Sequence, residues 1–279
     1  MPAPDAAATS LPLRHAVLLG LLHGPAELLP VSSSGHVTLI PWLAGWPYTD
    51  LDAELRKAFE IALHAGTAAA LLIALRDEVG DAARGFDRRR ALLVALSFAP
   101  PAITGLTFER AIEQRFGTPR SIAGGLVLGS LVMLAADRLG PMRRRRAQAG
   151  ALDGLLLGLA QASALIPGTS RNGMTLAAAR ARGFHRTDAN ALSRHVALPV
   201  IVGATVLKGR RLGRRGLPAG LGVRFGAGAG AAFASTLAST WLIRQVERNR
   251  SLAPYAAYRL ALAAVVLARR PTAAGDCAA

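Results

Sequence analysis

Apolar residues along the chain form long runs that lack the polar face of a surface helix in a soluble protein. A helix needs about 20 mostly apolar residues to cross a bilayer. The pattern predicts six spanning helices, several of them short, at roughly residues 58–76, 91–108, 120–137, 191–207, 219–243 and 254–268. The predicted fold class is an all-α integral membrane protein with one multi-pass domain, residues 1–279.

Two further apolar segments, residues 13–44 and 151–179, are each interrupted near the middle by Pro, Gly and Ser. The first break reads Pro-Val-Ser-Ser-Ser-Gly-His from Pro30, and the second reads Pro-Gly-Thr-Ser-Arg-Asn-Gly from Pro167. A helix loses backbone hydrogen bonds through such sequences. Because broken backbone persists in a membrane only where protein or a wet cavity covers it, both segments are predicted to be re-entrant helical hairpins.

The two broken segments resemble each other. Gly-Leu-Leu-His from Gly20 leads to Pro30, and Gly-Leu-Ala-Gln from Gly158 leads to Pro167. Each hairpin precedes three predicted spans, and because three is odd the second half would enter from the opposite side. The sequence thus predicts an inverted repeat with halves 11–137 and 151–268, whose breaks meet near the midplane.

Composition and charge narrow the class of protein. The chain is 52% hydrophobic with a mean hydropathy of +0.33, which is high for a soluble domain. Its net charge is +16, but aromatic residues are only 5% and the basic residues form short clusters between apolar runs, which favours lipid headgroups and cytoplasmic loops over nucleic acid. The lone Cys277 excludes an intrachain disulfide or a thiolate metal cluster. The opening MPAPDAAATS lacks the basic region of a cleaved signal peptide.

Four basic loops fall on one side of the predicted topology, which should therefore be the cytoplasmic side. Their arginines are Arg76, Arg84, Arg88, Arg89 and Arg90, then Arg143, Arg144, Arg145 and Arg146, then Arg180, Arg182 and Arg186, and last Arg244, Arg248 and Arg250. The basic segment 208–215 falls on the opposite side and conflicts with this orientation.

Ionisable residues within apolar segments cost roughly 2.5–3.5 kcal/mol each on insertion, so they require a partner or a function. Glu27 and Arg171 lie at the two breaks. We expect them to form a functional pair, and a purely structural ion pair between the hairpins is the alternative.

The first break places hydroxyl groups beside an imidazole. Ser33 would become a nucleophile if Glu27 or His36 removed its proton, and Ser32 and Ser34 add neighbouring hydroxyls. Taken alone, the same residues also fit a serine-rich turn with a helix N-cap.

The second break supplies small residues, hydroxyls and a guanidinium before an apolar helix, in the order Gly168, Thr169, Ser170 and Arg171. N–H groups at a helix start bind anions, and arginine binds phosphate through two N–H groups. This pattern predicts a phosphate cradle, with a simple helix break capped by Ser170 or Thr169 as the alternative. No Gly-Lys-Ser/Thr follows, so it is not a Walker loop.

The motifs at the two breaks resemble those of a known family. The stretches from Glu27 to His36 and from Pro167 to Thr175 are similar to the two signature motifs of undecaprenyl-diphosphatases of the bacitracin-resistance type. Phe59 to Gly66 resembles that family's third span, and Pro254 to Arg259 its last-span entry. The resemblance implies a bacterial inner-membrane enzyme that converts undecaprenyl diphosphate to undecaprenyl phosphate for peptidoglycan synthesis, with its active site facing the periplasm.

The resemblance also implies site residues and partners. Catalytic positions would be Glu27, Ser33, His36 and Arg171, and substrate-binding positions would be Ser32, Ser34, Gly168, Thr169, Ser170, Thr175 and His23. The family depends on Mg²⁺ or Ca²⁺, which Glu27 would ligate here. Expected partners are a polyprenyl diphosphate lipid substrate and membrane lipids, without nucleic acid; a homodimer stays open.

The chain departs from the family pattern at three positions. His23 stands where the family has an acidic residue or Gln, His64 where it has Gln, and Asn172 where it more often has Ser. Imidazole is a poor ligand for Mg²⁺ and Ca²⁺. Metal binding would then be weaker, supplied partly by the substrate, or shifted toward a transition metal. Alternatively, the two histidines carry protons or are hydrogen-bonded core residues.

The sequence is compatible with two mechanisms and two functions. In one mechanism Ser33 attacks phosphorus with Glu27 as base, while His36 protonates or orients the leaving group or relays the proton. In the other, a metal-activated water attacks. The alternative function is a polyprenyl phosphate transporter or flippase without phosphatase activity, because inverted repeats with broken helices are typical of transporters. A purely structural scaffold would leave Glu27 and Arg171 unexplained.

Overall fold

A computed structural model describes residues 10–218, 220–248 and 251–269, without the side chains at positions 82, 208, 211, 212 and 215. The predicted features at Cys277, Arg250 and the first nine residues lie outside this range. Within it the chain is helical and forms no strand; Arg144 and Phe184 make one isolated bridge.

The α-helices of the described residues follow one another in this order: α1 (Leu13–Leu28), α2 (Ser33–Ala44), α3 (Ala53–Ala74), α4 (Arg76–Arg84), α5 (Arg88–Phe116), α6 (Pro119–Leu139), α7 (Ala151–Ser163), α8 (Arg171–Ala181), α9 (Arg186–Arg215), α10 (Leu221–Ala238), α11 (Trp241–Arg248) and α12 (Ala253–Ala268). Short 3-10 turns lie at Pro47–Asp50 and Arg146–Gln148.

Among the described residues, four helices are long and apolar enough to cross a membrane: α3, α5, α6 and the Arg186–Leu207 part of α9. The bent pair α11–α12, with an angle of 108° between its helices, becomes a fifth span if it is counted as one. The all-helical, multi-span prediction is confirmed in this form. The predicted ranges 91–108 and 191–207 mark only the apolar parts of α5 and α9, because both helices continue into charged residues.

The predicted span 219–243 is too long. The helix α10 ends at Ala238, and the chain turns at Ser239 and Thr240 before α11 begins. Hydroxyl side chains compete for backbone hydrogen bonds and so favour turns; that of Thr240 donates to the carbonyl of Leu237 at 3.1 Å.

Both predicted helix breaks are present, and they have the same backbone geometry. Residues 29–32 separate α1 from α2, and residues 164–170 separate α7 from α8. Ser32 and Ser170 have φ angles of 78° and 72°, the left-handed region that non-glycine residues rarely adopt. The hydroxyl of each serine accepts a hydrogen bond from the glycine N–H three residues later, so both serines cap the helix that follows.

The packing brings the two breaks together in the interior. Leu19 of α1, Phe59 of α3 and Phe225 of α10 belong to one buried cluster, while Leu93, Leu157 and Val196 join α5, α7 and α9 in another. Helix α6 packs against both α8 and α12. The start of α2 and the start of α8 consequently lie close to each other.

Ion pairs gather the four basic loops on one face. Arg194 of α9 pairs with Glu78 of α4 at 3.2 Å and with Glu247 of α11 at 2.7 Å. Asp153 accepts hydrogen bonds from Arg144 and Arg182, each at 2.8 Å. The basic segment at 208–215 ends α9, roughly 45 Å from its first residue at 1.5 Å per residue, and thus lies at the opposite end.

Two adjacent glycines of α6 provide a test of this packing. A Cβ at Gly125 would overlap the carbonyl oxygen of Pro167 in the second break, whereas a Cβ at Gly124 would have no atom within 4 Å. We expect Gly125→Ala to destabilise the protein by about 1–3 kcal/mol through overpacking, and to lower the melting temperature in detergent by roughly 2 °C or more. Gly124→Ala is the matched control and should be neutral or slightly stabilising. Equal melting temperatures for the two variants would contradict the placement of the break against α6.

Candidate active site

Glu27 lies in the last turn of α1 and is held from both breaks. Its side chain is 7% exposed. The hydroxyl of Ser33 donates a hydrogen bond to Oε2, and the guanidinium of Arg171 donates to Oε1. Ser33 is the first residue of α2 and Arg171 the first residue of α8. The carboxylate, hydroxyl and guanidinium that the sequence placed at separate breaks therefore form one connected group.

A fully buried arginine of α12 fixes the backbone of both breaks. Through Nη1, Arg259 donates to the carbonyl of Pro30 at 3.1 Å, and through Nη2 to those of Gly168 at 2.9 Å and Thr169 at 3.0 Å. No carboxylate in the described residues pairs with it. Arginine carries five N–H donors and no acceptor, so one side chain can satisfy carbonyls that the broken helices leave without intrahelical partners.

His36 points away from the Glu27 group. Its Nδ1 bonds the carbonyl of Ser32 at 2.7 Å, so Nδ1 carries the proton and donates. Its Nε2 bonds the hydroxyl of Tyr258 at 2.7 Å, and the two rings stack with centroids 5.5 Å apart. Both ring nitrogens are thus engaged, and His36 does not line the large cavity that opens beside Glu27. In this conformation it supports the first break.

The predicted substrate-binding residues divide into two groups. Ser32, Ser34 and Ser170 line the large cavity beside Ser33 and Arg171. The others serve the backbone or the interior: Gly168 adopts a φ of 93° and contacts α6, Thr169 donates to the carbonyl of Ile166 at 2.8 Å, Thr175 bonds Ser193 at 2.6 Å, and His23 is buried beside Thr67. Asn172, one of the departures from the family pattern, donates to the carbonyl of Leu28 at 3.1 Å and so ties α8 to α1.

Two histidines also lie beside the carboxylate of Glu27. Nε2 of His64 is 3.7 Å from Oε2 of Glu27, and the rings of His23 and His64 meet edge to face with centroids 4.5 Å apart. His23, Glu27 and His64 each offer one ligand atom, and these atoms lie within 4.8 Å of one another. These three residues could hold a metal ion.

The Glu27 group opens into a cavity of about 420 Å³. Its polar wall comes from the two breaks and from α3, and its apolar wall from α5 and α9, including Phe98, Leu106 and Leu207. Such a cavity suits an amphiphile with an anionic head. Glu27 and Arg171 also line a cavity of about 50 Å³ on their other side, next to Asn190 and Arg194.

A charged cluster at one end of the large cavity was not predicted from the sequence. Lys57 lies 3.3 Å from Glu60 and 3.6 Å from Glu113, and all three line the cavity. The predicted span began at residue 58 and left Lys57 outside the apolar pattern. The signal that could have found it is the i, i+3 spacing of Lys57 and Glu60 on one helix face.

Comparison with known proteins identifies the family of the chain. The family described as Bacitracin resistance protein BacA matches residues 16–265. The chain belongs to this family. A BacA-family chain with several membrane-length apolar helices is a multi-pass membrane protein.

Curated relatives match over nearly their whole length. An undecaprenyl-diphosphatase of Pelobacter propionicus is 39% identical over 262 residues, covering 89% of this chain and 93% of the relative. One from Geobacter sulfurreducens is 39% identical over 269 residues, covering 92% and 97%. A third, from Moorella thermoacetica, is 34% identical over 261 residues, covering 91% and 96%.

Replacement of Arg259 tests how the breaks of this BacA-family chain are held. Arg259→Met keeps an unbranched side chain but leaves buried carbonyls in both breaks without a hydrogen-bond donor. Each such carbonyl lowers the stability of the fold by about 1–3 kcal/mol. We expect the melting temperature in detergent to fall by roughly 6 °C or more. The control is Arg138→Met, because Arg138 is exposed at the end of α6. An unchanged melting temperature for Arg259→Met would show that other contacts hold the breaks.

Proposed function

We propose that this protein hydrolyses undecaprenyl diphosphate to undecaprenyl phosphate and inorganic phosphate, and so recycles a lipid carrier for peptidoglycan synthesis. The observation that carries the proposal is the placement of Glu27 between the Ser33 hydroxyl and the Arg171 guanidinium at a cavity wall. A base, a nucleophile and a phosphate-binding cation are the parts that phosphoryl transfer through a serine requires. The choice of undecaprenyl diphosphate as the substrate rests on the relatives, which are named undecaprenyl-diphosphatase.

The cavity fits the two ends of such a substrate. A diphosphate would lie against Ser33, Ser34 and Arg171, while the first isoprene units would lie along the apolar side chains of α5 and α9. Guanidinium binds phosphate oxygens through two parallel hydrogen bonds. We infer that phosphate draws Arg171 away from Glu27, which frees the carboxylate to accept a proton.

In the proposed reaction Ser33 acts as the nucleophile. Glu27 accepts the hydroxyl proton as the Ser33 oxygen forms a bond to the terminal phosphorus. The bond from that phosphorus to the bridging oxygen breaks, and undecaprenyl phosphate leaves. Water then attacks the phosphorus of the phosphoserine, and the bond from that phosphorus to the serine oxygen breaks. Glu27 returns its proton to the serine oxygen, and inorganic phosphate is released. Arg171 stabilises the negative charge on the transferring phosphoryl group throughout.

His36 takes a different role in this proposal from general acid catalysis. Because its two nitrogens bond the carbonyl of Ser32 and the hydroxyl of Tyr258, it positions the residue that precedes the nucleophile. We assign His36 as a positioning residue in the resting conformation. Proton delivery to the leaving group would require its hydrogen bond to Tyr258 to open.

The ion that the family resemblance implies does not match the residues present. Mg²⁺ and Ca²⁺ take oxygen ligands almost exclusively. Beside Glu27, the other two potential ligands are the imidazoles of His23 and His64, and the Nε2 atom of His23 is buried without a hydrogen-bond partner in the described structure. Two nitrogen donors and one carboxylate do not fit Mg²⁺ or Ca²⁺.

We also propose the six-span topology with two re-entrant hairpins. In it, α3, α5, α6, α9, α10 and α12 cross the membrane, while α1–α2 and α7–α8 enter from opposite faces and return. The face that carries the four basic loops would be cytoplasmic in a bacterial inner membrane, by the positive-inside rule. The cavity end with Lys57 and Glu113 would then face the periplasm.

Paired contacts support an inverted repeat with halves 11–137 and 151–268. The first hairpin helix α1 packs along α10, and the second hairpin helix α7 packs along α5, which holds the corresponding place in the other half. Gly20 and Gly158 allow these two close approaches at matching positions, since a Cβ at either would contact a backbone carbonyl of the facing helix. The left-handed caps Ser32 and Ser170 correspond in the same way.

Hydrolysis is favoured over transport without hydrolysis. The curated relatives carry the name of a diphosphatase. The geometry adds that Glu27 contacts a hydroxyl that can attack phosphorus, a group that a pure transporter does not need.

The decisive experiment measures release of inorganic phosphate from undecaprenyl diphosphate by purified protein in detergent. We expect Ser33→Ala and Glu27→Gln to lose activity by about a thousandfold or more, because nucleophile and base act as a unit. Arg171→Lys keeps the charge but not the planar fork, and should lose about a hundredfold.

Ser163→Ala provides the control for loss of a hydroxyl. Ser163 lies at the end of α7, its hydroxyl donates to the carbonyl of Ala160 at 2.8 Å, and it does not line the large cavity. Its activity should equal that of the unmodified protein. If Ser33→Ala kept activity within tenfold, water would replace serine as the nucleophile. If the unmodified protein released no phosphate, the proposed function would be wrong.

A further inference from the structure

Three side chains beside the proposed nucleophile have the arrangement of metal ligands. His23 and Glu27 are four residues apart on α1 and so share one face of the helix. His64 approaches from α3, and the three ligand atoms lie within 4.8 Å of one another. Two helices therefore bring two imidazoles and one carboxylate to a single point.

Hydrogen bonds leave one nitrogen of each imidazole free. Nδ1 of His64 bonds the backbone carbonyl of Glu60 at 2.8 Å, which fixes the proton on Nδ1 and leaves a lone pair on Nε2. Nδ1 of His23 bonds the hydroxyl of Thr67 at 3.0 Å. Histidines that ligate metals are oriented in this way, with the second nitrogen held by a carbonyl or another polar group.

His23 also shows an unexplained polar atom. The residue is 0% exposed, and its Nε2 has no hydrogen-bond partner among the described residues. A buried polar atom without a partner costs about 1–3 kcal/mol. A ligand bound at Nε2 would remove that cost, whereas a purely structural histidine would leave it.

The ligand atoms lie slightly farther apart than around a bound ion, and rotation of the side chains would close the difference without movement of the helices. Nε2 of His64 and Oε2 of Glu27 are 3.7 Å apart. Around Zn²⁺, with bonds of about 2.0–2.2 Å to nitrogen and oxygen, neighbouring ligand atoms lie about 3.3 Å apart. Arg171 bonds the other carboxylate oxygen, Oε1. Oε2 accepts a hydrogen bond from the hydroxyl of Ser33, and its second lone pair can face the ion.

We propose that His23, Glu27 and His64 bind a first-row transition-metal dication of the Zn²⁺ type, in place of Mg²⁺ or Ca²⁺. Two nitrogens and one carboxylate oxygen form a common catalytic ligand set for Zn²⁺, and this set leaves a coordination position open. The role of the ion in turnover rests on the proposed phosphatase function, because the open position would face the phosphate beside Ser33. Binding of the ion does not depend on that function.

The test measures metal binding directly. Protein purified without a histidine tag and stripped with chelator is titrated with Zn²⁺ by calorimetry and with Co²⁺ by visible absorption. We expect one equivalent of each ion per chain, with Zn²⁺ bound at least a hundredfold more tightly than Mg²⁺ or Ca²⁺. Binding should weaken at least tenfold in His23→Gln and in His64→Gln.

Two further variants separate ligand loss from unfolding. His185→Gln removes a histidine outside the cluster and should bind both ions like the unmodified protein. His23→Glu restores an oxygen donor and should shift the preference toward Mg²⁺ and Ca²⁺ by at least tenfold. Melting temperatures within a few degrees of the unmodified protein would show that the variants are folded.

Three results would overturn the proposal: no stoichiometric binding of Zn²⁺ or Co²⁺, tighter binding of Mg²⁺ or Ca²⁺, or unchanged binding in both glutamine variants. Phosphate release is measured on the same samples. Tight Zn²⁺ binding without phosphate release would retain the metal site and refute the proposed function. Phosphate release by protein that binds no transition metal would retain the proposed function and refute the metal site.

Discussion

The rest of the site depends on the hydrogen bonds that the guanidinium of Arg259 donates. Two broken helices meet in an apolar interior, where carbonyl groups without partners are costly. One buried side chain from α12 donates to carbonyls of both breaks and so joins them. Once the breaks are fixed, α2 and α8 begin at defined places, and their first residues, Ser33 and Arg171, can meet at Glu27.

The joined breaks produce a group whose charges balance at rest. Glu27 and Arg171 neutralise each other, and the hydroxyl of Ser33 is already bonded to the carboxylate. A substrate phosphate would compete for the guanidinium, because two parallel hydrogen bonds match its geometry better than one carboxylate oxygen does. The resting structure thus holds the proposed base beside the proposed nucleophile. The negative charge of Glu27 is compensated by Arg171, which limits the cost of burying it.

The parts of the site that follow from the sequence are those with strong local signals. Pro30 and Pro167 with neighbouring Ser and Gly marked both breaks, and charges in apolar segments marked Glu27 and Arg171. The direction of His36 could not be predicted, because its partner Tyr258 lies 222 positions away. The ends of α5 and α9 were also missed, since hydropathy locates the lipid-facing part of a helix and gives no information on where its hydrogen bonds stop.

The apolar wall of the large cavity has a consequence for how fast such an enzyme works. Because apolar side chains of α5 and α9 line the cavity next to Glu27, the hydrocarbon tail of the substrate would stay in an apolar environment while the headgroup reacts. Encounters between protein and lipid then occur by two-dimensional diffusion within the bilayer. The rate is governed by the mole fraction of the carrier among the membrane lipids, so dilution of the aqueous suspension leaves it unchanged while added inert lipid slows it.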